Sequence, residues 1–308
     1  MDKSREKPEP LPLPPTKPSL MQRLASALEH TRLARARLER ARSGHPVLDA
    51  GLDVIERDSE IGGGILAGAL AYRLFLFFLP LAFFLVSGLG LVADALGITP
   101  RGLGKDLGFV GLVTKEVSDT AKGGSGVWVA LTSVVVLAYA TRVLYRAVVI
   151  VHALAWEQSA ASAKARARSL RIFGLGLAVQ LALAVAVGAV RAQTSAVGVV
   201  VLAVYAAALA TIWLWMSLHL PHASASWTDL LPGSALYGLG VLGVNAFNVY
   251  LLDNVHASRA NTYGTLGTAA AILLSLLFIG RLVVGSAVLN ATLFERSRNR
   301  RAKPGRPG

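Results

Sequence analysis

Residues 64–92 read GILAGALAYRLFLFFLPLAFFLVSGLGLV, an apolar run broken by one charge, Arg73, and one proline, Pro80. A helix needs ~20 such residues to cross the ~30 Å hydrocarbon layer of a bilayer. At 1.5 Å per residue this run is about 44 Å long. It therefore has to tilt, break or project beyond the membrane. Pro80 is the expected break point, because proline removes a backbone donor and clashes with the carbonyl four residues earlier. Nothing in a soluble core calls for so long an uninterrupted apolar run.

Five further runs repeat the pattern, at about 128–151, 172–190, 196–218, 231–252 and 265–290, so six transmembrane helices are expected. Composition agrees: 54% of the 308 residues are hydrophobic, 16% are charged and the mean hydropathy is +0.53. Soluble domains carry about 25% charge. There is no cysteine, which excludes disulfides, thiolate catalysis and cysteine metal sites. The first run begins behind a long charged segment and is too long for a cleaved signal peptide, so it is expected to remain as an anchor.

The net charge of +13 lies outside the apolar runs, where topology signals sit, and does not call for a nucleic-acid partner. Of the 31 Lys and Arg, 23 fall in residues 1–60, 142–171 and 295–308, and six in the loops 93–126, 191–195 and 253–264. Basic loops stay on the cytoplasmic side, so both termini are expected inside. Arg142 and Arg146, near the end of the second run, imply that its last turns project towards cytoplasmic headgroups. Trp128, Trp156, Trp213, Trp215 and Trp227 all fall near predicted span ends, where indole rings prefer the water–hydrocarbon boundary.

Ahead of the spans, residues 1–19 hold six prolines among charges and read as a disordered tail. Leu20 to Arg42 reads as a basic helix, solvated or lying on anionic headgroups. Leu48, Leu52 and Ile55 form a short apolar stripe leading to Gly62, Gly63 and Gly64, the pattern of an interfacial helix turning into the membrane. The organisation expected is thus a tail and basic helix (1–45), a six-helix membrane domain (46–295) and a basic cytoplasmic tail (296–308).

Arg73 and Arg281 are the charges inside the spans, and a bare ion at the bilayer centre costs ~2.5–3.5 kcal/mol on insertion scales. Facing one cavity with Pro80, they would hold an anionic group such as a phosphate. Alternatively each snorkels to the nearer interface. Asn245 and Asn248 share a helix face and would line the same cavity. With Gln180, Tyr250 and Asn290, they equally fit hydrogen bonding between helices. Gly64 and Gly68 form a GxxxG, and Gly285, Ser286 and Ala287 allow close helix approach, with packing the default reading.

Enzyme signatures are weak. No phosphate-cradling GxxxxGK[ST] is present. His219 and His222 flank Pro221 with Asp229 nearby, but no clear third ligand accompanies them, so loop histidines are expected and not a metal centre. No paired carboxylates lie within a span. No catalytic residue, metal or cofactor is expected. Asp229 can cap the helix that Pro232 opens.

Trp227-Thr228-Asp229-Leu230-Leu231-Pro232-Gly233-Ser234-Ala235, then Tyr263-Gly264-Thr265-Leu266-Gly267, then Leu289-Asn290-Ala291 resemble the YihY/BrkB family of bacterial membrane proteins. Ala71-Tyr72-Arg73 leading to Leu79-Pro80-Leu81 is similar to that family's first span. The resemblance covers about residues 46–295 and rests on the order of several modest motifs. It implies a bacterial inner-membrane protein tied to envelope integrity, with transport of a lipid or other solute suspected. The family's old label, ribonuclease BN, finds no metal-ligand cluster here. One departure is clear: where the family commonly has an acidic residue two positions before Asn290, this chain has Val288, and Arg281 stands in a usually apolar stretch.

The reading is therefore an all-α polytopic membrane protein, not an enzyme, with membrane lipids and anionic headgroups as partners and self-association left open. Its expected role is to bind or move an anionic amphiphile at Arg73, Pro80, Asn245, Asn248 and Arg281. The alternative is a non-transporting scaffold for envelope proteins, working through the basic arm and outer loop.

Overall fold

The computed structural model describes residues 46–96, 126–159, 167–191, 198–259 and 264–302. Residues 86–96, 248–259 and 264–271, with a few others near helix ends, are described by backbone alone. The expected tail and basic helix of residues 1–45 and most of the outer loop lie outside the described residues. Contacts divide the chain into Met1–Leu52 and Asp53–Gly308. The described part of the first unit is helical from Pro46; the packing below belongs to the second.

All regular structure among the described residues is helical: α1 (Pro46–Glu60), α2 (Gly63–Leu96), α3 (Gly126–Ala155), α4 (Ala167–Arg191), α5 (Gly198–Ser217), α6 (Leu231–Arg259) and α7 (Gly264–Ala302). Five stretches are long and apolar enough to cross a membrane: Gly63–Leu85, Leu131–Ala155, Ala167–Ala184, Val200–Ser217 and Ile272–Ala302. The described apolar part of α6, Leu231–Phe247, is shorter.

α2 packs against α3 and α7, α7 against α6, α6 against α5 and α5 against α4, which returns slightly to α3. α3 also meets α7, so α7 packs against three helices, α2, α3 and α6. Its composition explains that position. Val283, Val284, Ala287, Val288 and Ala291 form one buried apolar face, the stripe by which a helix packs on its neighbours, while Leu273, Leu277 and Phe278 are exposed.

α2 runs unbroken through Pro80, contrary to the expected break. Loss of one intrahelical bond does not outweigh the many others in a 34-residue helix whose Pro80 is buried. The α1–α2 corner turns on Gly62, whose φ of +68° is open to glycine at little cost.

Close helix approach is not at the expected GxxxG, since a Cβ on Gly64 or Gly68 would meet nothing within 4 Å. It is at Gly280, where a Cβ would lie 2.6 Å from the Ala67 carbonyl oxygen of α2. Two of the expected interfacial tryptophans are also internal: Trp213 and Trp156 are buried, whereas Trp128 and Trp227 are exposed.

Candidate functional site

The arginines divide by whether the chain provides their counter-ion. Arg57 on α1 is buried and reaches three groups. Its Nε donates to the Ala155 carbonyl at 3.0 Å, and its two terminal nitrogens meet the Glu295 carboxylate at 2.5 and 2.9 Å. Glu157 lies 3.2 Å away. Ala155 ends α3, where carbonyls lack intrahelical donors and the helix dipole is negative, so a guanidinium is well placed there. Glu157 has φ +52°, and Gln158 N donates to Ala153 O at 2.7 Å. That is a left-handed cap with glutamate in the usual glycine position.

Arg296 of α7 pairs with Asp53. Arg281, one of the two intramembrane candidates, forms a two-pronged pair with Asp58, at 2.8 and 2.6 Å. The Asp58 carboxylate lies over Gly63, where any Cβ would displace it. The face that α1 turns to the bundle thus carries Asp53, Arg57 and Asp58, while Ile55 of the apolar stripe is exposed. Ion-pair complementarity, besides apolar contact, docks residues 53–60 of this helix.

Arg73 is half-buried on α2 and makes no hydrogen bond or ion pair among the described residues. Pro80, two turns on, is buried. Asn245 is half-buried and its side chain is near the Tyr205 hydroxyl of α5, while the side chains of Asn248 and Tyr250 lie outside the described residues. No hydrogen bond or ion pair joins any two of Arg73, Pro80, Asn245 and Arg281. Arg281 is directed to α1 and Asn245 to α5.

A buried polar chain, which sequence reasoning did not assemble, crosses the other side. Trp213 Nε1 donates to Ser286 Oγ at 3.1 Å, and Ser286 Oγ donates to Val283 O at 2.9 Å. Trp213 stacks on Tyr237 with centroids 4.3 Å apart, and the Tyr237 hydroxyl donates to Gln180 Oε1 at 3.0 Å. Four helices are joined this way, which favours the hydrogen-bonding reading of Gln180. Ring stacking across 24 positions of sequence leaves no local signal.

Asn290 has a structural task. Its Oδ1 accepts from Gly233 N at 2.7 Å and its Nδ2 donates to Leu230 O at 3.2 Å. It thereby satisfies the first turn of α6 from α7. Gly233 has no room for a Cβ, which would run into Ser286 O and Asn290. Asp229 does not cap α6 as expected. Its carboxylate accepts from Ser226 N at 2.8 Å and Ser226 Oγ at 2.7 Å, and these bonds hold its pKa below the ordinary value. Asn290 reaches the α6 amides more directly.

His219 Nδ1 lies 2.9 Å from Trp215 O, and His222 Nδ1 2.7 Å from Leu220 O. Among the described residues no three metal-ligating side chains converge. Val288 is fully buried among apolar neighbours, so the acidic residue common in the resembling family has an apolar counterpart here.

Five helices long and apolar enough to cross a membrane define a multi-pass membrane protein, and the arginines of α2 and α7 are its most chemically distinctive groups. Its family follows from residues 54–307, which match the family described as Virulence factor BrkB; the chain belongs to that family. Comparison with curated proteins and with solved structures gives no match.

Proposed function

We propose that this protein binds and moves an anionic amphiphile, a lipid by its chemistry, along the α2 flank of the bundle, with Arg73 as the anchor. One observation carries the reading: Arg73 stands about 15 Å along α2 from Gly63, inside an apolar span, without a counter-ion among the described residues. A cation so placed favours an anion brought from outside. Arg281 already has Asp58 and contributes by fixing α1 beside the path.

The protein is read as a bacterial inner-membrane protein with six spans, α6 included, and both termini cytoplasmic. It serves the envelope without catalysing a reaction. Charge placement supports this orientation, since the basic segments 1–60, 156–171 and 295–308 lie on one side of such a topology.

The test is lipid movement in proteoliposomes, using fluorescent phosphatidylglycerol and a membrane-impermeant quencher. Wild-type protein should accelerate exchange between leaflets, and Arg73→Leu should abolish most of that acceleration while still inserting. Equal rates for both would remove the proposal. If no exchange occurs but deletion of residues 1–45 destroys envelope function, the scaffold reading takes its place.

A further inference from the structure

The unpaired charges do not end with Arg73. Arg142 and Arg146 stand one turn apart on α3, both exposed, within the apolar stretch Leu131–Ala155. Val135 and Tyr139 continue the same stripe and are 70% and 69% exposed, so this face looks out from the bundle. Neither guanidinium makes a hydrogen bond or ion pair among the described residues.

The ordinary escape for such residues is to snorkel to the nearer interface. Two features oppose it here. Side chains on a helix lean towards its N-terminus, which on α3 is away from the Arg57–Glu157–Glu295 cluster marking the polar end. In addition, the same stripe is closed one turn further on, where Val149 is 2% and Ala153 0% exposed. Arg142 and Arg146 therefore stand on a ledge, about 20 and 14 Å from Ala155 by helix rise, with a covered floor beneath them.

We infer that this ledge is a binding site for the phosphate of an anionic membrane phospholipid, drawn below the headgroup plane against α3. Two guanidiniums a helical turn apart can hold one phosphodiester through several charge-assisted hydrogen bonds. The lipid's acyl chains would then lie along Val135 and Tyr139. A zwitterionic lipid would bring its own cation towards the same pair and bind less well. This site stands whether or not Arg73 carries a moving lipid, because it is read by retention and not by flux.

The experiment is native mass spectrometry of the full-length protein in mild detergent, exposed to phosphatidylglycerol or phosphatidylcholine. Wild-type protein should retain phosphatidylglycerol at least about tenfold better than phosphatidylcholine, and R142Q/R146Q should lose that preference. R142K/R146K should keep part of it. R168Q/R171Q, which changes two exposed arginines on α4, should leave it intact, and unchanged tryptophan emission should show that each variant is folded. Equal retention by wild type and R142Q/R146Q would overturn the proposal, as would equal loss in R168Q/R171Q. So would a change from dimer to monomer in R142Q/R146Q with lipid retention unaltered, since a second copy would then cover the ledge.

Discussion

Replacing Glu295 with Gln should loosen the α1 end of the bundle by a measurable amount. Arg57 keeps only 10% of its side-chain exposure and Glu295 keeps 34%. Removing one partner of a fully buried pair costs ~3–5 kcal/mol, and of an exposed pair ~0–1 kcal/mol. Glu295 lies between these limits, and Glu157 and the Ala155 carbonyl still face Arg57 after the change. A loss of about 2 kcal/mol is the intermediate value. At ~2–4 °C per kcal/mol, the thermal midpoint in detergent should fall by roughly 6 °C. Trp156 offers a local probe, being buried with its ring 5.5 Å from that of Phe294, beside Glu295. Its emission should shift to the red before the global transition. Arg57→Lys, which keeps the charge but loses the fork, should fall between the two proteins. A midpoint within about 1 °C of wild type, with unshifted emission, would refute the assignment of Arg57 as a buried connector.

Other substitutions test other joints. Gly233→Ala should destabilise by at least ~1–3 kcal/mol, because the new methyl meets Ser286 and Asn290. Gly64→Ala, with open space around it, should be neutral or mildly stabilising in the same thermal assay. Glu157→Gly gives up an exposed carboxylate that supplements Glu295 at Arg57 and relieves a left-handed backbone, so its midpoint should equal or exceed that of wild type; Glu157→Val, with neither benefit, should be lower. Asp229 has a depressed pKa, so its contribution is full above the ordinary carboxylate range and lost as pH falls through the depressed value. Protection of the amides of residues 218–230, taken relative to the intrinsic exchange rate at each pH, should therefore fall on acidification in wild type and be independent of pH in Asp229→Ala.

The spans were legible because a bilayer demands contiguous apolar length, and that demand is written locally in the sequence. α2, α3 and α5 could be read within a few residues on that basis alone. Joints between distant positions were not legible. Arg57 and Glu295 are 238 positions apart, and no periodicity relates them. The apolar stripe of α1 drew attention to Ile55, whereas the ion pairs at Asp53, Arg57 and Asp58 fix the helix to the bundle. The motif containing Gly233 and the one containing Asn290 were both visible. Their physical cause, one side chain completing the first turn of the other helix, needed the fold. Trp213 lies near the end of α5 as expected, but its inward direction was not legible, because its hydrogen-bond partner Ser286 is 73 positions away. Of the candidate site, Arg73 and Arg281 were found by charge within apolar runs. Their different circumstances were not, since nothing near residue 281 announces a carboxylate at residue 58.

That difference can be measured as a coupling. Asp58 is 14% exposed and Arg281 48%, on the side-chain scale, and the two are held by two hydrogen bonds. Arg281→Leu alone leaves the carboxylate over Gly63 without its cation, and Asp58→Leu alone leaves a cation beside an apolar span. Each single change should therefore cost more than half of the double change. The interaction energy in the cycle should be about 0.5–3 kcal/mol, the range for residues in direct contact. Thermal midpoints of the four proteins in one detergent give the value. A coupling below about 0.5 kcal/mol would mean that the two sites act independently. Arg281 would then be free to meet an anion from outside the chain, and the path proposed for Arg73 would have two cations along it, not one.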